Sequence, residues 1–177
     1  MRASVHGVTI ECVTGDIVAQ HDMDAIVNAA NAWLRPGGGV AGAIHRAAGA
    51  GLERECEPLA PIEPGHAVLT GAHHLRNRYV IHCLGPVYGR DEPASRLLAS
   101  CYREALSRAE EAGIYSVAFP ALSTGAFGYP LEEAARVALE TVVHATVWLE
   151  SVHHVRFVLS SDEDREVHDR ILRELTA

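Results

Sequence analysis

Two segments of this 177-residue chain gather residues suited to holding an anion by the backbone. The first, NAANAWLRPGGGVAGAIHRAAG at positions 28–49, places Gly37, Gly38 and Gly39 directly ahead of a run with helical composition. Glycine opens backbone paths that a side chain would block, and the following helix aims its free N–H groups and positive dipole end at whatever lies there. The second segment, STGAFG at 123–128, repeats the design: Gly125 and Gly128, the hydroxyls of Ser123 and Thr124, then a helix opened by Pro130. Arg35 is the only cation in either loop. The expected ligand is therefore an anion gripped by N–H groups rather than neutralised by side chains, and a diphosphate fits. Each charge-assisted hydrogen bond contributes about 1.5–3 kcal/mol. Three or four of them offset the ordering costs and reach roughly micromolar affinity, about 8 kcal/mol.

Other polar groups would read what hangs from either end of the diphosphate. Asp16 offers an acceptor-only carboxylate that suits an exocyclic amine such as adenine's. Following Gly15, it is also placed to cap a helix from Ile17 onward, the commoner role for an aspartate there. Asn31 carries both donors and acceptors, as a sugar hydroxyl pair requires, and Phe127 lies between small residues as a platform for a sugar face. Asn28 reads as structural, bonding loop backbone, and His82 within YVIHC as a satisfied core histidine. The pairs His73-His74 and His153-His154 would point to opposite sides of a strand, so no metal site is expected from them.

A literal G-x-G-x-x-G at 37–42 raises a nicotinamide-dependent dehydrogenase as a rival. In that fingerprint the first glycine closely follows a strand. Here residues 29–36 intervene, and no acidic residue ends a second strand at the expected distance.

Composition narrows the class further. A formal net charge of −8 argues against broad binding to a nucleic-acid backbone. The chain contains no lysine, so all 15 basic residues are arginines. That excludes a lysine-bearing phosphate loop, Schiff-base chemistry and a lysine nucleophile. Cys12, Cys56, Cys83 and Cys101 are too widely spaced for a disulfide framework or zinc site and read as reduced core thiols. No apolar stretch has the length of a membrane span, and the segment MRASVHGVTIEC lacks a signal peptide's apolar run, so a cytoplasmic protein is expected.

The elements that must position these loops alternate. Strands are expected at 8–13 (VTIECV), 25–28 (AIVN), 66–71 (HAVLTG), 78–84 (RYVIHCL), 115–119 and 153–160. Helices are expected over 41–55, interrupted by Gly49 and Gly51, over 94–112 ending at Gly113, over 130–149, and over 162–175 capped by Asp162. With no repeat or linker, this predicts one domain over 1–177: a three-layer α/β/α fold with a mixed, largely parallel sheet. Ligands of such sheets settle at the carboxyl ends of the strands. The loops there are 15–17, 28–42 and 121–129.

The segments GDI, DAIVNAAN, GGGVAGAIHRAAG, YVIHCLGPVY and FPALSTGAFGYP, in that order, together resemble the macrodomain family. The resemblance implies a cleft for ADP-ribose. Asp16 would bond the adenine amine and Ile17 contribute backbone. Gly37, Gly38, Gly39 and Val40 would clamp the diphosphate with Ser123, Thr124, Gly125, Ala126 and Phe127. Asn31 would hold the distal ribose and Phe127 orient it. The chain looks most like the branch that removes ADP-ribose from protein carboxylates and deacetylates O-acetyl-ADP-ribose. On that branch Asn31, Gly38, His45 and Phe127 would be the catalytic positions, with neither metal nor cofactor. The branch usually carries Gly-Val-Asp-Gly; this chain has Gly39-Val40-Ala41-Gly42, keeping His45 but not its acidic partner. His45 thus reads either as a base or hydrogen-bond donor, or as a helix histidine of the cleft wall. The absence of lysine rules out a related family chemistry in which lysine attacks the distal ribose. Two functions follow: a substrate-assisted hydrolase acting as a monomer on ADP-ribosyl esters, or an ADP-ribose binding module without turnover. The implied partners are ADP-ribose, O-acetyl-ADP-ribose and mono-ADP-ribosylated proteins, with nucleic acid only if ADP-ribosylated and no membrane.

Overall fold

In the segment Ala25–Ala29, successive side chains of a strand must face opposite ways, and both faces are apolar: Ala25 and Val27 on one, Ile26 on the other. A strand apolar on both faces belongs between two layers. The computed structural model, which describes residues 1–177, places it inside a seven-stranded sheet. The strands are β1 (Arg2–Val5), β2 (Val8–Thr14), β3 (Ala25–Ala29), β4 (Ala67–Gly71), β5 (Tyr79–Cys83), β6 (Ser116–Phe119) and β7 (His154–Leu159). The helices are α1 (Gly39–Ala48), α2 (Ala50–Cys56), α3 (Ala94–Glu111), α4 (Leu131–Ala145) and α5 (Asp162–Thr176). The sheet order is β1-β2-β7-β6-β3-β5-β4, antiparallel at β1–β2 and β4–β5 and parallel elsewhere.

Three helices cover one face. Leu98 and Tyr102 of α3, Leu139 of α4 and Ile171 of α5 pack with Val117, Phe119 and Phe157 of the sheet. The opposite face buries Ile44 of α1 and Leu52 of α2 against Ile26, Val80 and Ala118. The expected three-layer α/β/α architecture is therefore the one observed. No helix is long and apolar enough to cross a membrane.

Four details depart from the sequence expectation. The cap of α5 is Ser161, whose hydroxyl accepts the Asp164 N–H at 3.1 Å, rather than Asp162, which is the first residue of the helix. β1 was not anticipated, because RASV lacks an apolar face; it pairs through a two-residue turn in which His6 (φ 49°) and Gly7 (φ 80°) are both left-handed. The helix expected over 41–55 is broken at Gly49 (φ 85°) but not at Gly51, which lies within α2. The helix expected to reach residue 149 ends at Ala145. Beyond it the chain is held by the Glu110 carboxylate, which accepts the N–H groups of Glu150, Ser151 and Val152 at 2.9–3.0 Å.

What positions the site is the end of the β3–β6 ladder. These strands pair only at Ala25↔Val117 and Ile26↔Ala118, so their carboxyl ends part and the loops they feed diverge.

Candidate functional site

A cleft of about 850 Å³ opens where the loops after β2, β7, β6 and β3 meet. Each wall is fixed by a local device. At one end, the Gly15 N–H donates to the Leu159 carbonyl at 2.9 Å, tying the end of β2 to the end of β7. Asp16 caps the short turn Ile17–Ala19, its Oδ1 accepting the Val18 N–H at 3.1 Å. Its second carboxylate oxygen has no partner in the chain, and neither do the N–H groups of Asp16 and Ile17. Acceptor and donor thus stand side by side, so Asp16 combines the capping role with a place in the cleft lining.

On the opposite wall, Asn31 closes its loop upon itself. Its Nδ2 donates to the Arg35 carbonyl at 2.8 Å, and its Oδ1 accepts the Arg35 N–H at 3.1 Å. This ring sets the left-handed Leu34 (φ 55°) and delivers the chain to the glycine run. The Arg35 guanidinium lies 5.7 Å over the Trp33 ring and is not part of the lining. No cationic side chain lines the cleft.

The glycine run then enters α1. Gly39 is left-handed (φ 55°), and a Cβ on Gly42 would overlap the Gly37 carbonyl oxygen, so the loop lies on the helix where only hydrogen fits. The N–H groups of Gly37, Gly38, Gly39, Val40 and Ala41 have no acceptor within the chain, and all five residues line the cleft. Across from them, the loop after β6 leaves the N–H groups of Ser123, Gly125, Ala126 and Phe127 without partners. That loop is braced by Tyr129 N–H to Ser123 O at 2.9 Å, Gly128 N–H to Gly125 O at 3.0 Å and Tyr88 N–H to Phe127 O at 2.8 Å. Ser123 is left-handed (φ 67°), and its buried hydroxyl has no hydrogen-bond partner. Two opposed sets of backbone donors without a neighbouring cation make a seat for an extended anion.

Of the residues singled out from the sequence, Asp16, Ile17, Asn31, Gly37, Gly38, Gly39, Val40, Ser123, Thr124, Gly125, Ala126 and Phe127 all line this cleft. His45 does not. Ala41 is among the residues that line the cleft, but one helical turn later the His45 ring is 5 % exposed and stands 6.5 Å from the His82 ring, between α1 and the sheet. Neither ring nitrogen has a partner, and burial lowers its pKa against a smaller upward pull from Glu53. His45 is therefore not a residue of the cleft wall: α1 turns that face inward onto the sheet.

His82 is the expected core histidine, bonded to Asn28 Nδ2 at 3.0 Å and to the Thr70 hydroxyl at 2.9 Å, with burial pushing its pKa down to about 3. Asn28 is structural, but its partner is this ring rather than loop backbone. The four cysteines are free and buried. No three His, Cys, Asp or Glu side chains converge into a group able to hold a metal ion.

Sequence reasoning missed Gly85, Val158, Ser160 and Asp164, which also line the cleft. Only Gly85 carried a signal, within the Gly-Pro step after β5; a Cβ there would overlap the Ser123 hydroxyl. Asp164 is the one carboxylate of the lining besides Asp16.

The macro domain pattern matches residues 27–138. A macro domain-containing protein of Caldanaerobacter subterraneus is 46 % identical over 173 residues, spanning 94 % of this chain and 97 % of that protein. Another, from Streptomyces coelicolor, is 49 % identical over 159 residues, spanning 86 % and 90 %. Among solved structures, the Oceanobacillus iheyensis macrodomain with ADP matches with a TM-score of 0.94 at 36 % identity, covering 99 % of this chain and 95 % of that one. The Trypanosoma brucei macrodomain in complex with ADP-ribose matches with a TM-score of 0.84 at 36 % identity, covering 91 % and 68 %.

Proposed function

The chain belongs to the macro domain family, and from that premise we propose that its cleft binds ADP-ribose and hydrolyses ADP-ribosyl esters by substrate-assisted attack of water. The substrates are mono-ADP-ribosylated Asp and Glu side chains and O-acetyl-ADP-ribose. The observation that carries the reading is the pair of opposed N–H arrays, at residues 37–41 and at Ser123 and 125–127, lining a cleft without a cationic side chain. Three or four charge-assisted bonds of about 1.5–3 kcal/mol each exceed the ordering costs of a diphosphate. The relatives crystallised with ADP and with ADP-ribose support the same ligand.

The ligand lies along the cleft by its chemistry. Adenine presents an amine donor and a ring acceptor to the free Asp16 oxygen and the Ile17 N–H. The diphosphate spans the two loops. The distal ribose reaches Asn31 and Phe127, where the second lone pair of Oδ1 and second hydrogen of Nδ2 stay available beyond the Arg35 ring.

For an ADP-ribosylated carboxylate, the water oxygen bonds to the anomeric carbon of the distal ribose while the bond from that carbon to the carboxylate oxygen breaks. The carboxylate leaves with the electron pair. The water proton passes to a diphosphate oxygen and then to solvent. A carboxylate is a good leaving group, so little general-acid help is needed. That matters here, because Ala41 supplies no acid and His45 lies off the cleft. The protein's part is positioning: the loops fix the diphosphate, and Asn31 and Phe127 fix the sugar. With O-acetyl-ADP-ribose, the water oxygen bonds to the acetyl carbonyl carbon, the bond from that carbon to the ribose oxygen breaks, the sugar oxygen takes up the proton to become a hydroxyl, and acetate is released.

The methyl of Ala41 also favours a second reading, ADP-ribose binding without turnover. A labelled ADP-ribosyl-glutamate protein separates the two. Release above the buffer rate is the expected result; release at the buffer rate, with tight ADP-ribose binding by calorimetry, refutes hydrolysis and leaves the binding module.

A further inference from the structure

Strand order sets what a ligand meets along the cleft. The four strand ends that bound it run β2, β7, β6, β3 across the sheet. Resting on the proposed ADP-ribose reading, adenine lies at the β2 loop and the diphosphate at the β6 and α1 loops. The ribose between them then stands opposite the end of β7. Two residues beyond that end line the cleft, Ser160 and Asp164.

Asp164 is held in place by backbone. The Ser161 hydroxyl accepts the Asp164 N–H at 3.1 Å as the α5 cap, and the Thr14 hydroxyl donates to Asp162 Oδ1 at 2.7 Å, fastening the start of α5 to the end of β2. The Asp164 side chain is half-buried and has no hydrogen-bond or ion-pair partner in the chain. The neighbouring Arg165 pairs instead with Asp162 at 3.8 Å and Asp169 at 3.5 Å. A carboxylate so placed accepts hydrogen bonds from a vicinal hydroxyl pair. A phosphate in the same position would face it with no cation in the lining to screen the repulsion.

We infer that Asp164 is a specificity residue of the cleft: it selects adenosine diphosphate ligands whose adenosine ribose has free 2′- and 3′-hydroxyls and rejects those carrying a 2′-phosphate. The substrate class is thereby restricted to ADP-ribosyl groups without that phosphate. Glu163, exposed on the same helical turn and outside the lining, is the control for a general charge effect.

Calorimetry on the full chain, with ADP-ribose and its 2′-phosphorylated form, tests this. The wild type is expected to prefer ADP-ribose by about tenfold or more at low salt, with the preference shrinking as salt screens the carboxylate. Asp164→Asn is expected to bring the two ligands within about threefold, while Glu163→Gln, the same change in net charge, keeps the preference. Equal binding of the two ligands by the wild type overturns the inference alone. So does a preference lost as fully in Glu163→Gln as in Asp164→Asn. Failure of the wild type to bind ADP-ribose at all overturns the ADP-ribose reading and this inference with it.

Discussion

Gly42→Ala isolates the backbone seat from every ligand-touching side chain. Gly42 lies inside α1 and outside the cleft lining. Alanine there gains about 0.8–1 kcal/mol of helix propensity. Its methyl, however, would overlap the Gly37 carbonyl oxygen and press on an Arg46 guanidinium nitrogen at 3.0 Å. Arginine's end can swing aside, so the carbonyl decides the outcome. Overpacking costs about 1–3 kcal/mol, leaving a net destabilisation of roughly 0–2 kcal/mol and a melting shift of a few degrees. Affinity should suffer more. Moving the Gly37 carbonyl rotates the peptide that carries the Gly38 N–H, and one lost charge-assisted bond costs about 1.5–3 kcal/mol, roughly 10- to 150-fold in the ADP-ribose Kd. Calorimetry with thermal melting measures both. Gly113→Ala, which strains a left-handed residue (φ 67°) outside the lining, should lower the melting temperature without changing Kd. A folded Gly42→Ala protein with a Kd within about threefold of wild type would refute the view that the glycine loop seats the anion by backbone geometry.

Further predictions concern catalysis and stability. Ala41→Asp places a carboxylate in the cleft one turn before His45; release of ADP-ribose from an ADP-ribosyl-glutamate protein should rise by about 100-fold, the low side of general-base contributions, and no increase would count against hydrolysis in this cleft. Glu110→Ala strips the acceptor from three backbone N–H groups and should cost about 2–3 kcal/mol in urea unfolding. Burial raises the Glu110 pKa, yet the N–H bonds from Val152, Ser151 and Glu150 outweigh it and hold the pKa below the ordinary value. This stabilisation is present above the unfolded pKa and is lost as pH falls through the folded one, so the wild type should lose more stability in that acid range than Glu110→Ala. Burial lowers the His82 pKa to about 3, so the unfolded chain binds the proton first. Stability should be full above about pH 6.5 and fall by about 1.4 kcal/mol per pH unit from there toward pH 3 on account of this one ring; chemical denaturation at successive pH values reads the slope, and a flat profile from 7 to 5 would contradict it.

Residues 28–49 and 123–128 carried the site openly because backbone binding leaves a compositional trace. Glycines are required where N–H groups must converge, and they cluster beside helix starts. Asp16 was harder to read, since capping and ligand reading use the same acceptor; the structure puts the cap on one oxygen and leaves the other free. His45 misled because helical spacing fixes its distance from Ala41 along α1 but not which way that face turns. Only the sheet beneath, with His82 at 6.5 Å, settles this. Asn28 was legible as structural but not as a partner of His82, because the contact spans 54 residues of sequence.

By itself, then, the sequence determined the alternation of strands and helices, the layered fold, the two backbone-donor loops and the exclusion of lysine chemistry. These are local properties: residue periodicity, glycine placement and residue type. The tertiary structure alone decided the order of strand ends along the cleft. β7 comes last among the strands in the chain, yet it inserts between β2 and β6 and so brings Ser160 and Asp164 beside Asp16. The physical reason is that parallel pairing joins strands far apart in sequence, and the hydrogen bonds that fix β7 between its neighbours leave no trace in the local residue pattern.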